Sequence, residues 1–269
     1  MRITTIPAFN PSAMTGQGNN TYLVGDGDCA LIDAGVGDPR HLDAIADALA
    51  ARSGRLSRVL VTHAHIDHIG GVTAIAARWP NATFAKIPWS GRDDAYAVRW
   101  TPLADDEHVS SGGADLAVVH TPGHAPDHAC FWSAADRVLF CGDLVTPGTT
   151  VVIPGTRGGD LSAYLSSLAR VRALDATTLL PGHGDPVSDP AAIIDAYVAH
   201  RRERDEQIVA AVSAGHGTVA EIIARVYPTL AAELRWAAEE TIVAHLQKLV
   251  REGRVAARDD RWTPPPTYT

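Results

Sequence analysis

The chain has 269 residues, of which 46% are hydrophobic and 20% are charged, and its formal net charge is -8. This length and composition suit one large buried core with room for a small second module. No stretch approaches the roughly 18 to 20 apolar residues that span a bilayer, and the N-terminus lacks a charged head followed by an apolar run. We therefore expect a cytoplasmic protein with no membrane partner; the sequence leaves a homo-oligomer open.

The charge is distributed unevenly along the chain. Residues 1–199 contain 13 Lys and Arg against 21 Asp and Glu, whereas residues 200–269 contain 10 of each kind. Neither part has the positive excess that is typical of a surface for polyanions. Charge alone therefore gives no support for a nucleic-acid partner, although a local basic patch could still bind one.

Apolar runs alternate between strand and helix periods over residues 1–190, which we assign to an α/β catalytic domain. The predicted helices are 41–52, 72–77 and 161–173. The predicted strands are 20–24, 30–33, 58–63, 118–120, 129–132, 137–141 and 177–180. Residues 88–113 show no sustained period and are rich in Asp, Gly, Pro and Trp, so we interpret them as a loop-rich excursion that could cover a cleft.

The remaining residues, 191–269, are predicted to form a helical, winged-helix-like module. Residues 191–212 form one long helical pattern, and the mixed charges at 200–206 indicate a solvated face.

The end of this module has signals for two more helices and a hairpin. Thr218 and Glu221 form a capping box that opens a short helix. Residues 239–252 then carry an apolar helix face, and Asp259-Asp260 interrupts residues 255–263 in the manner of a two-stranded wing.

Four metal-ligand side chains fall within six residues: His63, His65, Asp67 and His68. The strand before them delivers the segment to a strand end, where functional loops of α/β folds are common. In an extended or turning segment, His63 and His65 project to one side and reach one metal together. Asp67 and His68 lie past the turn and face a neighbouring site. Imidazole and carboxylate ligands with open positions suit zinc.

Three further ligand candidates follow in separate turns: His124, Asp143 and His183. Each is preceded by a glycine, which gives the backbone freedom to aim the side chain. In a chain with 12 histidines, any one of them can occupy such a position by chance, but chance does not account for this ordered set.

The set resembles the metallo-β-lactamase superfamily, whose motif His-x-His-x-Asp-His is matched without a gap at residues 63–68. The resemblance implies an αββα sandwich with the site at one edge. It also implies that Asp33 supports the site from behind the ligands. The implied arrangement places one metal on His63, His65 and His124, a second on Asp67, His68 and His183, and Asp143 between them.

The implied cofactor is Zn2+, two ions per chain, sharing a hydroxide that attacks a carbonyl or phosphorus atom. Asp67 is the expected catalytic residue, as a ligand that also handles the proton. No serine or cysteine nucleophile is required.

The tail is similar to that of the β-lactamase-like protein 2 and glyoxalase II-like branch, through His200-Arg-Arg-Glu-Arg, Gly217-Thr-Val-Ala-Glu-Ile and the run from His245 to Val255. The named animal member of that branch is a single-strand endoribonuclease. Related branches hydrolyse thioesters, including glutathione and carrier-protein thioesters. The acidic catalytic part and neutral tail of this chain depart from the ribonuclease pattern.

Three functions remain open on the sequence. The first is hydrolysis of a carboxyl ester, thioester or lactone, with a small-molecule or carrier-borne acyl substrate. The second is endonucleolytic cleavage of single-stranded RNA, which Trp89, Trp100 or Trp236 beside an arginine patch would favour. The third is an iron-dependent sulfur dioxygenase, against which the complete dinuclear ligand set argues.

Overall fold

The computed structural model describes residues 1–259 and 261–266. None of the helices within these ranges is long and apolar enough to cross a membrane. The α-helices over these residues are α1 (Pro39–Ala50), α2 (Ile66–Ile69), α3 (Val72–Arg78), α4 (Leu161–Arg172), α5 (Pro190–Ser213), α6 (Val219–Val226) and α7 (Arg235–Arg251).

The first sheet has six strands in sequence order, antiparallel over the first three and parallel from the third onward. Its parallel half presents the carboxyl ends of several strands at one edge, where loops can bring ligand side chains together. Its strands are β1 (Ile3–Pro7), β2 (Asn20–Val24), β3 (Asp28–Ile32), β4 (Arg55–Leu60), β5 (Thr83–Lys86) and β6 (Trp100–Pro102).

The second sheet has five strands, which are β7 (His108–Ser111), β8 (Ala114–His120), β9 (Ala129–Ser133), β10 (Val138–Gly142) and β11 (Thr178–Pro181). Their order is β11-β10-β9-β8-β7, and only the β10–β11 pair is parallel. Antiparallel neighbours need only short connections, whereas the parallel pair needs the crossover that contains α4.

Three buried layers hold the catalytic part together. Leu60, Phe131 and Phe140 pack between the two sheets. On the outer face of the first sheet, α1 contributes Ile45 to a second core, and α4 and α5 cover the outer face of the second sheet. The order is helix, sheet, sheet, helix, which confirms the predicted αββα sandwich.

The interpretation of residues 88–113 as loop was partly wrong. The segment contains a 3-10 turn at Asp93–Ala95 and the strands β6 and β7. The sequence of β7 is His-Val-Ser-Ser, with exposed and buried positions alternating. Its serines occupy both kinds of position, so hydrophobicity does not reveal the strand period.

The C-terminal module contains α6, α7 and a hairpin of β12 (Ala256–Arg258) with β13 (Arg261–Thr263). The capping box of Thr218 and Glu221 is present, and the predicted winged-helix-like module is confirmed. Asp260 of the predicted wing lies outside the described residues. The assigned boundary after residue 190 coincides with the start of α5 and stays a prediction.

The interpretation of residues 200–206 as a solvated face was wrong for two of them, since Arg201 and Asp205 are 1% and 2% exposed. Arg201 donates to the carbonyl of Val151, and Asp205 accepts from Lys248 Nζ at 2.7 Å. The helix α5 lies between the catalytic part and α7, so its charged residues meet protein on two sides. The charge pattern of a single helix does not indicate that protein covers the helix on two sides.

Candidate metal centre

The histidine motif follows the carboxyl end of β4. His63 and His65 lie in the connection, and the short helix α2 begins immediately afterwards and carries Asp67 and His68. The extended backbone of His65, at φ -78° and ψ 145°, makes the change of direction. The predicted division of the motif into an extended half and a turned half is therefore present.

Three imidazoles form the first group of candidate ligands. The Nδ1 atom of His65 lies 3.0 Å from His63 Nε2 and 2.7 Å from His124 Nε2. Burial lowers the pKa of all three, and that of His65 falls to about 3. Neutral imidazole is the form that binds a metal, so at neutral pH this group presents three free lone pairs to one point.

The second group combines two imidazoles with Asp67. The Asp67 Oδ2 atom lies 3.3 Å from His183 Nε2 and 3.7 Å from His68 Nε2. Candidate ligand atoms of these three residues all lie within 4.8 Å of one another, as do those of the first group.

Asp143 lies between the two groups. Its Oδ1 is 3.3 Å from His68 Nε2 and 3.4 Å from His183 Nε2, whereas its Oδ2 is 3.5 Å from His124 Nε2. Each carboxylate oxygen thus faces a different group. All seven predicted site residues are brought together at the edge of the sandwich.

The second group requires positive charge. Burial alone would lower the pKa of His183, but the neighbouring Asp143 carboxylate outweighs it and raises that pKa to about 10. Likewise the pKa of His68 lies well above its ordinary value despite burial, because Asp143, Asp33 and Asp67 surround it. A cation bound between these carboxylates would supply the charge that the two protons otherwise provide.

Hydrogen bonds behind the ligands fix their orientation. His68 Nδ1 lies 2.7 Å from Asp33 Oδ2, and Asp33 Oδ1 accepts from the backbone N–H of Thr62 at 2.8 Å. His124 Nδ1 lies 2.7 Å from the carbonyl oxygen of Val152. Donation of Nδ1–H leaves Nε2 free to bind a metal, which is the arrangement typical of metal-binding histidines.

Two glycines next to ligands have steric reasons to be glycine. Gly142 has φ +46°, and a Cβ there would lie 2.8 Å from His128 Nε2. A Cβ on Gly182 would lie 2.6 Å from His68 Cε1 and 2.8 Å from Asp143 Oδ1. Close packing is therefore a reason for glycine at both positions, whereas the predicted backbone freedom is used at Gly142, which has a positive φ.

Sequence reasoning missed Asn19 as part of the site. The side chain is 1% exposed, and its Nδ2 donates to Asp67 Oδ2 at 3.1 Å and lies 3.1 Å from His68 Nε2. Asn10 Nδ2 donates to the Asn19 amide oxygen at 2.7 Å and so holds the Asn19 side chain in place. Asparagine is seldom fully buried, but a paired Asn19-Asn20 before a strand gives no signal of burial. His128 also supports the site, since its Nε2 accepts from the Asp143 N–H at 3.0 Å.

A cavity of about 600 Å³ opens from the candidate ligands toward the C-terminal module. His124, Asp143 and His183 lie at its inner end, and residues 13–17, 146–147 and 149–152 form its sides. Part of the segment 227–241 forms the remaining wall. Residues 88–113 do not line this cavity, and the expectation that they could cover the cleft stays a prediction. Asp93 instead pairs with the buried Lys86 at 2.6 Å and ties the excursion to β5.

The family models agree with this architecture. Residues 14–183 match the metallo-beta-lactamase superfamily, and residues 218–262 match the beta-lactamase associated winged helix domain. The chain belongs to the metallo-β-lactamase superfamily, a class of metal-binding hydrolases, and carries the associated winged-helix domain.

Curated relatives cover most of the chain. A beta-lactamase-like protein 2 homolog of Drosophila melanogaster is 33% identical over 91% of this chain and 87% of its own. An atrochrysone carboxyl ACP thioesterase of Aspergillus chevalieri is 33% identical over 95% of this chain and 83% of its own. Among solved structures, a beta-lactamase domain protein from Burkholderia ambifaria has a TM-score of 0.84 at 25% identity, over 98% of this chain and 91% of that one.

Proposed function

We propose that this protein is a dinuclear zinc-dependent hydrolase of carboxyl esters, thioesters or lactones. The observation that carries the proposal is the position of Asp143, whose two oxygens face two separate groups of ligand atoms. A single-metal centre would need only one of these groups. Adjacent sites with a shared carboxylate are typical of two-metal hydrolases.

The residues present fit two zinc ions. Asp143 Oδ1 and His183 Nδ1 are buried without a hydrogen-bond partner among the described residues, and a cation next to Asp143 would satisfy that oxygen. The donor set consists of five imidazoles and two carboxylates, which zinc prefers. Iron also binds imidazole and carboxylate ligands, so zinc as the bound metal is part of what we propose. When bound, zinc supplies a hydroxide nucleophile near neutral pH and polarises the substrate carbonyl.

The other steps fall to residues of the chain. His63, His65 and His124 would hold one ion, and Asp67, His68 and His183 the other, with Asp143 touching both. The Asp67 side chain is 20% exposed, more than those of the other proposed ligands in the second group. Nearby His68 and His183 lower its pKa although burial alone would raise it. As a carboxylate, Asp67 can take a proton from water and pass it to the departing thiolate or alkoxide.

An acyl substrate is favoured by the chemistry of the cavity. Its lining includes no Lys, Arg or Glu, and Asp143 is its one acidic residue among the described parts of the chain. A phosphodiester backbone is normally bound through Lys and Arg. The Aspergillus relative named as a carrier-protein thioesterase supports the same substrate class. A carrier-borne acyl group, a cytoplasmic location and a homo-oligomer stay predictions.

Single-stranded RNA is the second candidate, and one contact favours it. The guanidinium of Arg157 lies 5.2 Å from the ring of Trp236, which is 40% exposed. An arginine and tryptophan pair of this kind can stack on a base. It lies next to Leu234, which lines the cavity.

The test combines metal content with substrate comparison. Elemental analysis of the purified protein should give about two zinc ions per chain, and the protein should hydrolyse a thioester or lactone in preference to a fluorescent single-stranded RNA. Asp143→Ala should lose metal and reduce hydrolysis at least about a hundredfold. Asp185→Ala, an exposed aspartate after His183, is the control and should retain both. Cleavage of RNA alone would replace the acyl proposal with the second candidate, and one iron per chain would overturn the dinuclear zinc assignment.

A further inference from the structure

The C-terminal module supplies an apolar wall to the cavity that opens from the metal centre. This wall is the part of the segment 227–241 that lines the cavity, and its apolar members include Tyr227, Leu230, Leu234 and Ala238. Met14 and Val152 line the same cavity from the catalytic part. A substrate carbonyl at the inner end would therefore place its acyl group between the two parts of the chain.

Exposed apolar side chains mark the same region. Leu234 and Met14 are 40% and 50% exposed, and both line the cavity. Large apolar side chains left in water around one concave surface are typical of a binding site for apolar groups. The cavity of about 600 Å³ lies within the range of roughly 300–1,000 Å³ that encloses drug-sized ligands.

Tyr227 is held in place from behind. The Arg204 guanidinium lies 4.1 Å from the centre of the Tyr227 ring and donates to the carbonyl of Val226 at 3.4 Å. Arg204 belongs to α5, and the N–H of Leu230 closes a turn onto the carbonyl of Tyr227 at 3.2 Å. The Tyr227 end of the wall is thus held in place before a substrate arrives, which lowers the entropic cost of binding.

We propose that this wall is the acyl-binding subsite and that it selects medium-chain or aromatic acyl groups over acetyl. The inference rests on the proposed hydrolysis of acyl substrates. In that reaction the oxygen of water forms a bond to the acyl carbon and the carbon–sulfur bond breaks. The thiolate leaving group takes up a proton from the water, and the products are a carboxylic acid and a thiol. The subsite holds the apolar part of the acid while this exchange occurs.

The first experiment compares acetyl and octanoyl thioesters of N-acetylcysteamine. Each buried methylene should raise kcat/KM about fourfold, so an acyl group that buries four of them should gain on the order of a hundredfold. Leu234→Glu places a charge in the wall and should lower the octanoyl-to-acetyl ratio at least tenfold. Val250→Glu is the matched control, because Val250 is 38% exposed on the same module and does not line the cavity. Its ratio should equal that of the unmodified protein.

The second experiment separates binding from hydrolysis. Calorimetric titration of the protein as purified with S-octyl-N-acetylcysteamine, a thioether without a thioester bond, should show binding that weakens at least tenfold in Leu234→Glu and not in Val250→Glu. Similar kcat/KM for both thioesters, with equal thioether binding by both variants, would overturn the subsite and leave the hydrolase proposal standing. If neither thioester is hydrolysed, thioesters are excluded as substrates of the proposed hydrolase, and the titration alone decides whether the subsite binds apolar chains.

Discussion

At the scale of single residues, Asp33 connects the fold to the metal centre. Its carboxylate accepts from the backbone N–H of Thr62 and faces His68 Nδ1. The residue adopts φ +62°, in the left-handed region, which asparagine tolerates as well as aspartate does. Asp33→Asn therefore changes the charge behind His68 without a change in backbone preference.

We expect Asp33→Asn to weaken metal binding by the second group 10- to 100-fold, the range usual for partners that orient a metal-binding histidine. Competition with a chelator at fixed pH measures the effect. Asp28→Asn, at the exposed start of β3, the strand that Asp33 follows, is the control and should bind metal normally. An unaltered affinity in Asp33→Asn would mean that His68 is oriented by its packing alone.

The cluster of candidate ligands was predictable from sequence because most of the information is local. His63, His65, Asp67 and His68 share one short motif, and the other ligands each follow a glycine. Asn19 was not predictable, because it reaches Asp67 across 48 positions of the chain. The Val152 contact to His124 uses a backbone carbonyl, which every residue type has, so no side-chain pattern could indicate it.

At the scale of secondary-structure elements, α7 braces the segment that orients His124. Glu240 on α7 accepts from the N–H of Thr156 at 2.8 Å and from its hydroxyl at 2.5 Å. Four residues earlier, Val152 provides the carbonyl that His124 Nδ1 contacts. The C-terminal module therefore supports the first group of ligands as well as the cavity wall.

Glu240→Ala should cost on the order of 1 kcal/mol of stability, because it removes the hydrogen bonds from the N–H and hydroxyl of Thr156 to the buried Glu240 carboxylate. It should also lower metal retention by the first ligand group, since Val152 loses its support. Thermal melting and elemental analysis after mild chelation measure the two effects. The matched control is Glu239→Ala, which removes only an exposed pair with Arg235. Equal metal retention in both variants would show that the segment holds His124 without the help of α7.

A buried ion pair inside the C-terminal module leads to a second prediction. Asp205 accepts from Lys248 and lies 2.7 Å from His245 Nδ1. Asp205→Asn should cost about 2 kcal/mol, because the buried Lys248 ammonium keeps only the more exposed Glu252 carboxylate as a charged partner. Glu206→Gln, which removes an exposed pair with Arg254, should cost less than about 1 kcal/mol. Urea unfolding gives both values, and equal losses would contradict the buried-pair assignment.

The same pair gives a pH dependence of stability. Burial raises the pKa of Asp205, but the bonds from His245 and Lys248 outweigh it and leave the pKa below its ordinary value. A carboxyl with a depressed folded pKa stabilises the fold above its unfolded pKa near 4, and the contribution disappears as the pH falls through the folded pKa. The difference in stability between the unmodified protein and Asp205→Asn should therefore be full at pH 7 and shrink below about pH 4. A constant difference over this range would refute the linkage.

At the scale of the whole molecule, α5 belongs to two hydrophobic cores. Its first half places Ile194 and Tyr197 in the core against the second sheet, and its second half places Ile208 and Val212 in the core of the C-terminal module. The α/β class and the winged-helix-like module were predictable from hydrophobic period and motif order, and the αββα sandwich was implied by the family resemblance. The sharing of one helix was not, because a period indicates a buried face without indicating which neighbour buries it.

A helix common to two cores should couple their unfolding. We expect one thermal transition for the full chain, with equal calorimetric and van't Hoff enthalpies, because neither core is complete without α5. A chain that ends after residue 189 would expose the apolar face of α4 and lose the Tyr197 hydroxyl bonds to Thr146 and Thr149. This shortened chain should melt at least about 10 °C lower than the full chain or aggregate. A chain that ends after Gly215 retains α5, so its melting temperature should lie between those of the shorter chain and the full chain. Two separate transitions in the full chain, or equal stability of both shortened chains, would show that the catalytic sandwich folds independently at residue 190.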